Sequence, residues 1–332
     1  MDFALALQGI GGMNSFSAGV LSHLRKENIK PKMVSVCSGA IASLYHYLDE
    51  DENMLEQVYK KNNKNHVKHV ISKEMQGMVH FAKAVSFGIP EKFRVISPWE
   101  KMKDLQISDL FNPFSLMKVT SPAQIFESEH KDEFFEDVAE RFCKSDISII
   151  TNAYNYDTGK AVIFLNPTAE KTLKDTRFKI GNEEGFSVKE ICPDAIRGAL
   201  QLIQFGLYKG MLDGAYQHNP FLSPLKIMHK IFLVTVVPIS KPLKPLETTY
   251  DIEDFKTKML FLNSIFSDIS NIDLINLLID TKIITHEKIH KIDLKILEPS
   301  VQKGFFDYFV EDVEMFNDGL QKAQSFINPL HL

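Results

Sequence analysis

The first fifty residues constrain the fold more than any other stretch. Phe3 to Leu7 is a short apolar run, and Gly9-Ile10-Gly11-Gly12-Met13-Asn14 is a glycine-rich loop. From Phe16 onward, Val20, Leu21 and Leu24 recur at helical spacing up to Arg25-Lys26. Met33 to Val36 is a second strand-like run, followed by the small residues Gly39 and Ala40, and helical spacing resumes over Ile41 to Tyr47. Strand, loop, helix, strand, turn and helix in that order predict a parallel α/β sheet.

Further along, residues 51–110 are rich in Lys, Asn, His and Met and mostly helical in pattern, so they read as a cap or insertion. Ile147–Ala153 and Ala161–Leu165 are strand-like and are joined by a turn-rich link, Tyr154 to Lys160. Residues 188–206 look helical, and Lys230–Val237 is an apolar strand. Three prolines from Pro238 to Pro245 mark a linker or rim segment, and amphipathic helices are expected over 251–268 and 305–327. The expectation is one domain, 1–332, in which 241–332 is a mostly helical C-terminal extension.

Composition narrows the classes. With 332 residues, 44% of them hydrophobic, the chain can bury a large core. A net charge of −5 gives no reason to expect a nucleic-acid partner. Cys37, Cys143 and Cys192 are odd in number and lack metal-ligand spacing, which fits a reducing compartment without a disulfide framework. Every apolar run is far shorter than the ~20 residues of a membrane span, and the first residues carry no basic flank, so a cytoplasmic protein is expected. Lys60, Lys61, Lys64 and Lys68, interleaved with Val67, Val70 and Ile71, form a basic face that is either simply solvated or suited to peripheral contact with an anionic membrane. His66, His69 and His80 have no matching carboxylate or cysteine set, and His46 reads as a helix-face histidine, so no metal site is expected.

Three features carry chemistry. The glycine loop lies between a strand and a helix N-terminus, where exposed N–H groups suit a phosphate, an oxyanion or only a tight turn. It is neither a dinucleotide fingerprint nor followed by a Walker lysine. The corner at Val34–Ser43 is the kind on which hydrolases of several folds carry a nucleophile, usually as G-x-S-x-G. Cys37 is preferred for its apex because Ser35 and Gly39 flank it in that frame, and Ser38 is the rival. A lone cysteine there is otherwise a small core residue. At a helix N-terminus the unpaired N–H groups would lower its pKa. Asp213-Gly214 is either an ordinary turn or a base presented from a separate loop.

These features stand in an order that resembles the patatin-like family of acyl hydrolases. Gln8 to Asn14, with Gly19-Val20-Leu21 after it, resembles the family's D-G-G-G-x-[RK]-G loop and following G-V-L. Ser35-Val36-Cys37-Ser38-Gly39-Ala40 resembles its G-x-S-x-G-A elbow, and Ile149 to Gly159 its I-x-A-T-N-x-x-T-G strand. Asp213-Gly214-Ala215 with Asn219-Pro220 resembles its D-G-G-x-x-x-N-x-P loop, so the likeness spans about residues 3–225.

The resemblance implies an α/β three-layer sandwich with a central, mostly parallel sheet, a helical cap insertion and C-terminal helices. It implies Cys37 as nucleophile, Asp213 as general base, and N–H groups of Gly9, Ile10, Gly11 and Gly12 as the oxyanion hole. Ser38, Gly214 and His218 are accessory candidates, with no cofactor and no metal. The implied substrate is a fatty-acyl lipid or acyl thioester, hydrolysed or transferred through a covalent acyl–cysteine. Cys37, Ser35, Ile10 and Met13 depart from the family pattern, and the loss of the loop's basic residue at Met13 disfavours an anionic phosphate there. A thiolate beside Asp213 would be repelled by it, so the thiol would act from its neutral form. The other readings are a patatin-like pseudoenzyme that holds acyl chains without turnover, and a scaffolding module whose corners are only structural.

Overall fold

A computed structural model describes residues 2–10, 14–49, 53–54, 93–95, 126–128, 131–240, 245–247, 249–284, 289–300 and 313–327. The expected cap over 51–110 lies outside these residues except for 53–54 and 93–95, and so do the four lysines of the basic face.

β1 (Ala4–Leu7) and β2 (Met33–Val36) are buried along their whole length and pair in parallel, as their unbroken apolar runs require. Between them α1 (Ser15–Lys26) carries the chain back, and α2 (Ala40–Tyr47) follows β2 directly. β3 (Phe93–Val95) and β4 (Phe126–Ser128) form a separate antiparallel pair. After α3 (Asp132–Lys144) come β5 (Ser148–Asn155) and β6 (Lys160–Leu165), an antiparallel hairpin as the turn-rich link predicts. The chain continues through α4 (Pro167–Leu173), β7 (Gly181–Asn182), β8 (Phe186–Glu190), α5 (Pro193–Ala199) and β9 (Met211–Asp213). It ends with β10 (Lys230–Val234), α6 (Thr249–Asp280), β11 (Asp293–Leu297) and α7 (Val313–Phe326).

Among the described residues the fold is mixed α/β, with a central sheet of nine strands, mostly parallel, flanked by helices. Its order is β11-β10-β1-β2-β5-β6-β8-β7, with β9 also pairing on β5. Every pairing from β11 across to β5 is parallel. Among the described residues no helix is long and apolar enough to cross a membrane.

Two expectations change in detail. Residues 188–206 are not one helix: β8 runs into them, and Pro193 starts α5 at its first turn, where a missing N–H costs nothing. The segment after 241, expected to be mostly helical, also contributes a strand, β11, which extends the sheet beside β10. Its last helix is held on α1 by a reciprocal pair of glycines. A Cβ on Gly19 would stand 2.0 Å from the Phe316 carbonyl oxygen, and one on Gly319 2.1 Å from that of Phe16, so the two backbones touch only because both side chains are absent. α7 thereby rests on the helix that leaves the glycine loop.

Candidate active site

The sheet register explains why two distant loops meet. β2 pairs with β5 only as far as Ser35 opposite Ile150, yet β5 continues to Asn155. β6 covers the other edge of β5 over Ile150–Asn155, so the edge beyond β2 is left open where the chain turns off into α2. β9 fills that lane from the opposite direction, with Asp213 opposite Ala153. Counting three residues on from the Ser35 pairing also reaches Ala153, so Asp213 comes to rest beside the corner at residue 38. Strand pairing therefore sets the approach of carboxylate and corner.

At the corner, β2 ends at Val36, Ser38 has φ 51°, and Gly39 is already helical as the cap of α2. The left-handed residue, and so the apex, is Ser38, one place later than the sequence reading puts it. Serine in this region costs roughly 1–2 kcal/mol, a strain that concentrates at functional sites. Ser38 Oγ donates to Asp213 Oδ2 at 2.5 Å. Cys37 Sγ stands 4.0 Å from Asp213 Oδ1 and donates to the His218 carbonyl at 3.3 Å. Both side chains lie on the carboxylate's side, but the short contact belongs to the serine.

Burial controls the electrostatics. Asp213 is 1% exposed and Ser38 3%. Removal from water pushes the Asp213 carboxyl up from 3.8 to about 7, against the opposing pull of the Ser38 hydroxyl and the Ala215 N–H, the latter donating to Oδ1 at 2.9 Å. The Cys37 thiol is pushed well above its usual range, first by burial and then by the charge of Asp213. The sequence reading anticipates the repulsion but not that burial is the larger cause. Burial also pulls the His218 imidazole down. It is the main chain of His218 that reaches the site, its carbonyl accepting from both Cys37 Sγ and, at 3.1 Å, Asn152 Nδ2. Gly214 supplies close approach: a Cβ there would lie 2.2 Å from Asn152 Nδ2 and 2.4 Å from Asn152 O, which would lift the Asp213 turn off β5.

The glycine loop is keyed into the same place. A Cβ on Gly9 would meet the Cys37 carbonyl oxygen at 1.7 Å and Ala40 N at 2.9 Å. Gly9 N–H donates to Asn219 Oδ1 at 2.9 Å, and Ile10 N–H to Asn14 Oδ1 at 3.1 Å. Two of the four N–H groups expected to receive an oxyanion therefore already have partners, while Gly11 and Gly12 lie outside the described residues. Gln8 ties the loop to the stretch just past β10: its Oε1 accepts from Val236 N at 2.9 Å and from Val237 N at 3.3 Å. Ser35, in place of the elbow's first glycine, donates its hydroxyl to the Phe221 carbonyl at 2.8 Å. Sequence reasoning passes over Asn14 and Asn219 as site residues; the Asn-Pro pair in the Asp213 loop was the available signal. Among the described residues, no group of three or more His, Cys, Asp or Glu is placed to hold a metal ion.

No family model and no curated protein matches the chain. Among solved structures, VipD from Legionella pneumophila is similar at a TM-score of 0.30 and 10% identity, over 98% of this chain and 67% of that one. A likeness that distant assigns nothing to this chain.

Proposed function

We propose that this chain is an acyl hydrolase acting on fatty-acyl esters through a Ser38–Asp213 dyad. The observation that carries the reading is the apex itself: Ser38 at φ 51°, with its hydroxyl on a buried carboxylate at 2.5 Å. A strained residue joined to a base whose pKa is raised to about 7 is the arrangement that general-base activation of a hydroxyl needs near neutral pH. Ionised Asp213 takes the Ser38 proton as Oγ attacks the acyl carbonyl carbon. The positive end of α2, whose first turn begins at Ala40 beside the nucleophile, stabilises the developing oxyanion. Asp213 then returns the proton to the departing alkoxide, leaving acyl-Ser38. Water, deprotonated by the same carboxylate, releases the fatty acid and restores the hydroxyl. Exposed Ile203 and Leu207 support an apolar acyl chain, because they lie just after Gln201, whose carbonyl accepts the Asp213 N–H at 2.8 Å.

In this reading Cys37 is a neighbour of the nucleophile, with its proton held firmly by burial. A fluorophosphonate probe followed by peptide fragmentation tests the assignment. Label on Ser38, absent from Ser38→Ala and kept in Cys37→Ala, is the expected result. Label that follows Cys37 instead would transfer the role to the thiol.

A second reading, a lipid-holding fold without turnover, draws on the Gly9 and Ile10 N–H groups already having partners. It takes over if the wild type accepts no probe and turns over no p-nitrophenyl ester or acyl thioester of any chain length.

A further inference from the structure

Asn219 makes an unusual contact for a side chain. Its amide meets both polar groups of one residue, accepting from Gly9 N–H at 2.9 Å and donating to the Gly9 carbonyl at 2.8 Å. This is the pairing one β-strand residue offers another, made here by a side chain across 210 positions of sequence. Asn219 is 0% exposed, so neither bond is shared with solvent. Its own N–H donates to Ser264 Oγ of α6 at 3.3 Å. Gly9 in turn lies against the Cys37 carbonyl and Ala40 N, the two ends of the corner that carries Ser38.

We propose that Asn219 is a positioning residue that clamps Gly9 against the nucleophile corner, and so holds Ser38 at its set distance from Asp213. The proposal rests on the acyl-hydrolase reading. Its physical basis is that an amide is the one small side-chain group with a donor and an acceptor side by side in the pattern of a peptide. Alanine removes both bonds from a fully buried Gly9 peptide. Aspartate keeps the acceptor for Gly9 N–H but, once ionised, sets a carboxylate oxygen against the Gly9 carbonyl. When the introduced carboxyl is protonated it donates to that carbonyl and restores the pair, so the aspartate variant is conditional on pH.

The experiment uses the full chain and its Asn219→Ala and Asn219→Asp variants. Fluorophosphonate labelling and p-nitrophenyl ester kinetics are followed from pH 5 to 9, with amide hydrogen exchange of the peptide covering residues 3–10. Asn219→Ala should label about 10²-fold more slowly, the scale of a roughly 1 Å misplacement. It should lower kcat with KM little changed, and it should speed exchange at Gly9. For Asn219→Asp, the rate relative to wild type should rise as pH falls, a recovery that a merely destabilised protein would not show. Labelling of a folded Asn219→Ala within threefold of wild type, or a flat Asn219→Asp ratio, overturns the proposal. If the wild type itself takes no label, the hydrolase reading fails separately. Exchange then still decides the clamp, and unchanged exchange at Gly9 in Asn219→Ala overturns it.

Discussion

Replacing Asp213 by Asn should destroy turnover and make the protein more stable at the same time. The carboxyl is buried and raised from 3.8 to about 7, so folding must bear the cost of an ionised group out of water whenever the pH exceeds that value. A rise of that size corresponds to about 4 kcal/mol of lost stability above neutral pH. The sign is that of a raised acid. Between about pH 4 and 7 the folded state binds the proton and the unfolded state does not, so wild-type stability falls as pH rises through that window and levels off above it. Asparagine has no charge to bury, keeps an oxygen for the Ala215 N–H, and turns its amide toward Ser38 Oγ as donor. At roughly 1.5 °C per kcal/mol for a chain of this length, Asp213→Asn should raise Tm by about 6 °C at pH 8 and by almost nothing at pH 4. Thermal melts across that range, paired with ester turnover, are the assay. A variant that melts below wild type at pH 8, or a difference that does not change with pH, would refute the reasoning.

Ester turnover by the wild type should rise with pH to a plateau with a midpoint near 7, because Asp213 must be ionised to accept the Ser38 proton; a rate independent of pH from 5 to 9 would contradict this. Ser38→Ala should lose 10²-fold or more in turnover, while Cys37→Ala stays within a few-fold of wild type. Gly9→Ala should lose activity and about 1–3 kcal/mol of stability in denaturant melts, since its methyl would fall 1.7 Å from the Cys37 carbonyl oxygen. In native protein, Ellman's reagent should modify exposed Cys192 first and buried Cys37 only on unfolding.

How much of this was legible depended on whether the determining contact is local. β1 and β2 could be read because strands buried on both faces must be continuously apolar, and the helix after each loop carries its own period. The corner after β2 was legible as a corner, but its apex was displaced by one residue. The frame Ser35-x-Cys37-x-Gly39 matches a motif by smallness at both flanks, whereas the turn is set by where β2 stops pairing and which residue takes positive φ. The physical signal was Gly39-Ala40 immediately after Ser38: the two smallest residues fall where the chain must bend into α2 against Gly9. Ser35, noted in the sequence only as a departure from the elbow pattern, proves to have a definite partner in the Phe221 carbonyl.

What stayed hidden is the part of the site made by pairing across the chain. Asp213 was legible as a carboxylate in a turn, but nothing near it in sequence says that three residues of β9 fill the lane beside β5 that β2 abandons. That register is a property of the whole sheet, because β6 must already cover the other edge of β5. The same holds for Asn219 on Gly9 and for Gly19 against α7. Each is a small residue or amide whose meaning lies in a backbone that arrives from elsewhere. Local pattern finds the residues that bend the chain; the residues that lock one bend to another become visible only when the sheet brings them together. Two substitutions separate these kinds. Gly39→Ala retains a small residue in an already helical conformation and should change stability by less than about 1 kcal/mol. Gly214→Ala drives a methyl to 2.2 Å from Asn152 Nδ2 and should displace Asp213, with a loss of turnover far larger than its loss of stability. Equal losses in the two variants would mean that the Asp213 turn is not held in place by its approach to β5.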